Sequence, residues 1–188
     1  EKRHIPVNSI SEIYCFGENT LNTKLINFVA KHEILIHFFN YYSFYTASLI
    51  PRKTKIEGKL LVAQVSHYTD EVKRLVLAKA FVLSAGSNIY RNLRYYHGRG
   101  KAVSQTMSEI ETLVNKIEGC TSIPELMGIE GNIHKCYYKA WHQMINQEID
   151  FQQRVKNPPD NRINTLISFI NTLVYTTVLG EIYKTQLD

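Results

Sequence analysis

Three cysteines, Cys15, Cys120 and Cys136, lie far apart, and no C-x-x-C pair occurs among them. That excludes a disulfide framework and a zinc knuckle and leaves reduced thiols of a cytoplasmic protein as the simple reading. The chain opens Glu1-Lys2-Arg3-His4 with no apolar signal region after it, so no secretory signal is expected from this stretch. The longest greasy stretch, 166–179, is shorter than the roughly 20 apolar residues a bilayer needs and is interrupted by Ser, Asn and Thr. The expectation is therefore no membrane span. Also missing are a glycine-rich phosphate loop, a Ser or Cys paired with a His, an internal repeat and a low-complexity tract.

What is present is an ordinary globular composition, 44% hydrophobic, with Lys+Arg 22 against Asp+Glu 17 and a net charge of +5. The surplus leans toward a polyanionic partner without establishing one. At 188 residues the chain holds one domain or two small ones.

The first third reads as β. Apolar, aromatic-rich runs at 10–16, 34–39 and 41–49 fit strands. Between the first two, Leu21, Leu25, Ile26, Phe28 and Val29 recur at helical spacing after Thr20, a candidate N-cap, giving a β-α-β pattern. The charged segment 51–58, opened by Pro51 and closed by Gly58, marks either a domain boundary or a surface loop, so the expected units are 1–57 and 58–188. After it the periodicity turns helical. One face runs Leu61, Val65, Tyr68, Val72, Leu75, Val76, Val82 and extends to about Tyr96; Val103 to Ile117 mark another helix, stopped by Gly119. Ser122-Ile123-Pro124-Glu125 is a capping-box pattern. Two later helices are expected to open near Glu130 and after Pro158-Pro159, the second running to the chain's last residue.

Glu130 stands in Gly128-Ile129-Glu130-Gly131-Asn132. At a helix start a carboxylate is favoured by the dipole alone; flanking glycines also leave room for a ligand. His134, four residues on, shares its face, as a metal co-ligand or as a solvated i,i+4 partner. Lys135, Arg154, Lys156 and Arg162 gather near this helix and the proline turn, a phosphate-binding surface or a solvated one. A longer basic cluster, Lys73, Arg74, Lys79, Arg91, Arg94, Arg99 and Lys101, is interleaved with Tyr90, Tyr95 and Tyr96. Asn164, Asn171 and Tyr175 are polar residues in the apolar last helix, and a buried amide there needs partners.

Taken in order, several segments together resemble one family. They are Ile5-Pro6-Val7 with Ile13-Tyr14-Cys15-Phe16-Gly17-Glu18, Ile36-His37-Phe38-Phe39-Asn40, Leu126-Met127-Gly128-Ile129-Glu130-Gly131-Asn132, Pro158-Pro159 through Ser168-Phe169, Leu173 to Leu179, and Tyr183-Lys184-Thr185-Gln186-Leu187. The chain resembles the CRISPR-associated integrase Cas-one, in a style similar to the type I-B branch. The resemblance implies an α+β protein with a β-rich N-terminal domain and an all-α C-terminal catalytic domain, here without its first strands and its C-terminal part. It implies a metal-dependent endonuclease and integrase that inserts spacers into a CRISPR array by 3′-hydroxyl attack on a repeat phosphodiester. Glu130 is then one ligand of Mg²⁺ or Mn²⁺, the family's His and acidic ligands falling beyond Asp188, so residues 1–188 alone are expected to be inactive. Asn164 and Tyr175 map beside the family's active site, and Lys135, Arg154 and Lys156 onto its DNA. The implied partners are double-stranded DNA, a second copy of the chain, a Cas-two dimer and, in type I systems, a Cas-four nuclease. Where relatives carry Gly, this chain has Ile170. The alternative from another class is a non-enzymatic DNA-binding or scaffold piece.

Overall fold

The computed structural model describes residues 4–52 and 57–187. The expected boundary at 51–58 straddles residues 53–56, which lie outside the described residues. Packing groups the chain into two units: Glu1–Val62 with Thr165–Asp188, and Ala63–Asn164.

In the first unit, β1 (Glu12–Phe16), α1 (Thr23–Lys31), β2 (Leu35–Phe39) and β3 (Tyr45–Leu49) follow one another. The strands form one sheet in that order, β1 parallel to β2 and β2 antiparallel to β3. The parallel pair joined by α1 is the β-α-β crossover that the pattern predicts. The cap of α1 is Asn22, whose side chain accepts from Leu25 N at 2.9 Å, rather than Thr20. Asn is as good a cap as Thr and sits two residues closer to the helix, directly before its first residue. Val29, Ile34 and Ile36 are the buried centre of this unit.

The last helix, α6 (Arg162–Lys184), carries the chain from the second unit into the first. It ends at Lys184, not at the last residue as expected. From Thr165 on it packs with the sheet: Phe16 faces Phe169, Tyr14 meets Thr177, and Tyr45 meets Tyr175 edge-on at 5.9 Å. The regular helix is longer than the apolar run inside it. At 23 residues it is long and apolar enough, by length and composition only, to cross a membrane. Its contacts with the sheet are those of a helix packed into a folded unit. Leu166, Ile170, Val174 and Val178, four apart, remain exposed along it. Ile170 thus adds its bulk to an open face, not to a packed one.

The second unit is helical: α2 (Gly58–Thr69) leads into it, followed by α3 (Glu71–His97), α4 (Ser104–Asn115) and α5 (Ile123–Met144). The single apolar period from Leu61 to Val82 spans two helices. Asp70 breaks it by accepting from Val72 N and Lys73 N as the cap of α3. Those amides, Lys73 N foremost, hold the Asp70 carboxyl below its ordinary pKa. The core joins Leu93, Val103, Ile110, Ile117, Leu126, Ile133 and Ala140. Gly86 lets α3 and α4 approach, since a Cβ there would stand 2.8 Å from Val114 Cγ2. All three cysteines are free thiols, and burial raises the pKa of Cys120 and Cys136.

Candidate active site

Glu130 lies in the body of α5, not at its start. The helix begins two turns earlier, where Ser122 caps it and Pro124 occupies the first turn. Glu125 completes the cap by accepting from Thr121 N at 2.8 Å. The dipole argument for a first-turn carboxylate therefore passes from Glu130 to Glu125. Gly128 and Gly131 sit on the open side of the helix, with nothing near a would-be Cβ at either. They break no helix, and both occupy open positions on its surface.

Oε1 of Glu130 lies 3.8 Å from Nε2 of His134, both side chains about half exposed. One turn of helix brings them together, as the spacing predicts. Among the described residues no group of three or more His, Cys, Asp or Glu gathers in metal-binding range. A carboxylate beside an imidazole suits Mg²⁺ or Mn²⁺ only as part of a ligand set, since such ions take one or two carboxylates and keep several waters. The donor chemistry fits that partial role. Lys135 is exposed on the same helix, but five residues from Glu130 it points about 140° around the axis from it.

Asn164 and Arg154 are brought together. Asn164 is fully buried. Its Oδ1 accepts from Arg154 Nη1 at 3.1 Å and from Val155 N at 3.2 Å; its Nδ2 donates to Gln153 O at 2.9 Å and to Asp160 Oδ1 at 2.7 Å. The backbone N of Asn164 is capped by Asn161 Oδ1 at 2.9 Å. Every polar group of Asn164 is thereby spent on holding the loop 153–161 against the start of α6. The geometry makes Asn164 a positioning residue, and Arg154 a clamp on it, rather than groups that reach a substrate. Lys156, two residues along the same loop, is exposed. His142 is likewise used internally, its Nε2 meeting Phe151 O at 2.7 Å.

In the first unit, Tyr175 is 58% exposed on α6, its ring edge-on to Tyr45. The sheet beside it holds a polar group that no motif announced. Tyr14, His37 and Ser48 occupy one row across β1, β2 and β3. His37 is fully buried, with Nδ1 2.7 Å from Ser48 Oγ and Nε2 3.8 Å from Glu12. Burial lowers the His37 pKa, and the Glu12 carboxylate works against that. Glu12 also accepts from Tyr14 Oη at 2.8 Å and pairs with Lys184 at 3.8 Å. Gly180 makes room for it, since any Cβ there would collide with the Glu12 carboxylate. The only available signal was polar residues inside apolar strands.

The model of one protein family, CRISPR associated protein Cas1, matches this sequence over residues 1–188. This chain belongs to the Cas1 family. The CRISPR-associated endonuclease Cas1 of Fusobacterium nucleatum is 57% identical over 188 residues, all of this chain and 56% of that protein. The solved structure of a Cas1 protein from Thermotoga maritima superposes with a TM-score of 0.80 at 35% identity, over 99% of this chain and 58% of that one. A casposase bound to integration product shares the fold, with a TM-score of 0.78 at 21% identity over 95% of this chain and 50% of the other. The chain thus spans a little over half the length of the Cas1 relatives it matches, and the α+β architecture is that of Cas1 structures.

Proposed function

We propose that the whole protein is a metal-dependent DNA endonuclease and integrase of CRISPR adaptation, joining a DNA 3′-hydroxyl to a phosphodiester of the CRISPR repeat. One observation carries this reading: the Cas1 model matches every residue of the chain, and within it Glu130 stands open to solvent between two glycines with His134 at 3.8 Å. Mg²⁺ or Mn²⁺, when bound, supplies charge neutralisation at the attacked phosphoryl group. Glu130 is the group of this chain that holds it, with the remaining ligands contributed beyond Asp188. Lys135 and Lys156 present ammonium groups to backbone phosphates, and the Tyr175 hydroxyl orients substrate. Arg154 and Asn164 act one step back, fixing the loop that bears Lys156.

The exposed stripe Leu166, Ile170, Val174 and Val178 is the face on which the rest of an all-α catalytic domain packs. Relatives of the fold are seen as a Cas6-RT-Cas1–Cas2 complex and as a casposase on integration product. By likeness to these, the proposed partners here are double-stranded DNA, as prespacer and repeat, and a Cas2 dimer. A homodimer and a Cas-four nuclease complete the proposed assembly, working in the cytoplasm. Strand transfer by the full-length protein with Cas2, a prespacer duplex and a repeat-bearing plasmid tests the reading; integration products that appear with Mn²⁺ and vanish with EDTA support it, and their absence under both conditions contradicts it.

A second reading has its own observation. The basic, tyrosine-interleaved cluster of α3 and the turn after it suits a DNA-binding scaffold of the adaptation complex. DNA binding by the full-length protein, without any strand transfer, would favour it.

A further inference from the structure

The basic, tyrosine-interleaved cluster of α3 and the turn after it has a use that the proposed active site does not absorb. Five of its seven cations are engaged within their own unit. Lys73 pairs with Asp70 at 3.6 Å, and Lys79 donates to Glu118 O at 2.7 Å. Arg74 lies over the Tyr68 ring at 5.6 Å and Arg99 over Tyr95 at 4.5 Å. Lys101 donates to Asn146. Arg91 and Arg94 are the two for which no ion pair, side-chain hydrogen bond or ring contact occurs among the described residues, and both are exposed.

These same two arginines line one cavity. It is a cleft of about 320 Å³ between α3 and α4, formed by Ser87, Tyr90, Arg91 and Arg94 on one wall and Glu111, Val114 and Asn115 on the other. One helical turn separates the arginines, so both guanidinium groups serve one edge of the cleft. Tyr90 is half-buried against the core and so presents a ring fixed in place. Glu111 pairs with neither arginine; with Asn115 it offers hydrogen-bonding groups on the opposite wall. The volume lies at the small end of ligand sites, the scale of a single nucleotide rather than of a duplex.

We propose that the α3–α4 cleft is a nucleic-acid contact separate from the Glu130 site, in which Arg91 and Arg94 take backbone phosphates of an unpaired strand and Tyr90 meets a splayed base. Arginine forks match phosphate oxygens, and an aromatic face accepts any base without reading sequence. An unpaired strand is specified because a stacked, paired base cannot enter a cleft of this size. The inference rests on the DNA-acting reading only for the identity of the polymer.

The test is fluorescence anisotropy on the full-length protein in EDTA, which silences metal-dependent chemistry. The probes are labelled oligothymidine, a blunt duplex of equal length and free thymidine monophosphate. Arg91→Gln/Arg94→Gln is expected to weaken oligothymidine binding about tenfold and to lower the slope of log affinity against log salt by about 1.4, or 0.7 for each lost contact with a single strand. Arg91→Lys/Arg94→Lys is expected to restore most of the slope, which a misfolded variant would not do. Wild-type binding with the double Gln variant unchanged overturns the inference and leaves the proposed function standing. A loss confined to the duplex, or to the free nucleotide, also overturns it. Failure of the wild type to bind any DNA removes the proposed function and the inference with it.

Discussion

Arg154 Nη1 donates to the side-chain oxygen of Asn164 at 3.1 Å, and Asn164 in turn holds Gln153, Val155 and Asp160. The loop 153–161 is thus cross-braced by one buried amide. Removing that amide strands several buried donors and acceptors at once. Asn164→Ala is expected to cost about 2 to 3 kcal/mol in urea unfolding. It should lower DNA affinity only through the loop that presents Lys156. A loss below about 0.5 kcal/mol, the size of an ordinary surface change, would contradict the bracing role.

Gly86 and Val114 set how closely α3 and α4 approach. Alanine at a helical glycine normally gains up to about 1 kcal/mol. Here the added Cβ would stand 2.8 Å from Val114 Cγ2 in a packed core. Gly86→Ala is expected to be net destabilising by about 1 kcal/mol, in the lower part of the overpacking range. Val114→Ala should suppress that cost in a double-mutant cycle. Additive effects of the two changes would contradict a direct contact.

His37 gives a pH signature. Its folded pKa is lowered, burial being the main cause, so the folded state favours neutral imidazole. The unfolded chain takes up the proton first, at about 6.5. Stability from this group is complete above that value and is lost as pH falls below it toward the lowered folded pKa. Glu12 at 3.8 Å moderates the loss. Wild-type unfolding free energy should drop between pH 7 and pH 5, and His37→Gln should flatten that part of the profile. Identical profiles for the two proteins would rule the mechanism out.

Much of this was legible along the chain, for local reasons. Apolar runs at 10–16 and 34–39 became β1 and β2, and the spacing from Leu21 to Val29 became α1, because burial of one face dictates period. Ser122 and Pro124 announced the start of α5, yet the glycines around Glu130 suggested a second start there. Glycine is tolerated on an exposed helix face, and two of them did not outweigh the cap and the buried Leu126 and Ile133. Asp70 was passed over because the apolar period continues through it. Asn164 was recognised as needing partners, but which partners depends on how a loop folds back, and no periodicity encodes that. The Tyr14, His37, Ser48 row needed the strand register, which pairs Tyr14 with His37 and His37 with Ser48 across three separate strands.

Glu130→Ala in the full-length protein is the most direct test of the central claim, read in a Mn²⁺ strand-transfer assay beside an unfolding curve. Glu130 is half exposed, and its one ion-pair partner among the described residues is His134, so its loss should shift stability by no more than about 0.5 kcal/mol, as for surface changes. Integration should nevertheless be abolished. A folded Glu130→Ala protein that integrates at the wild-type rate would contradict the assignment.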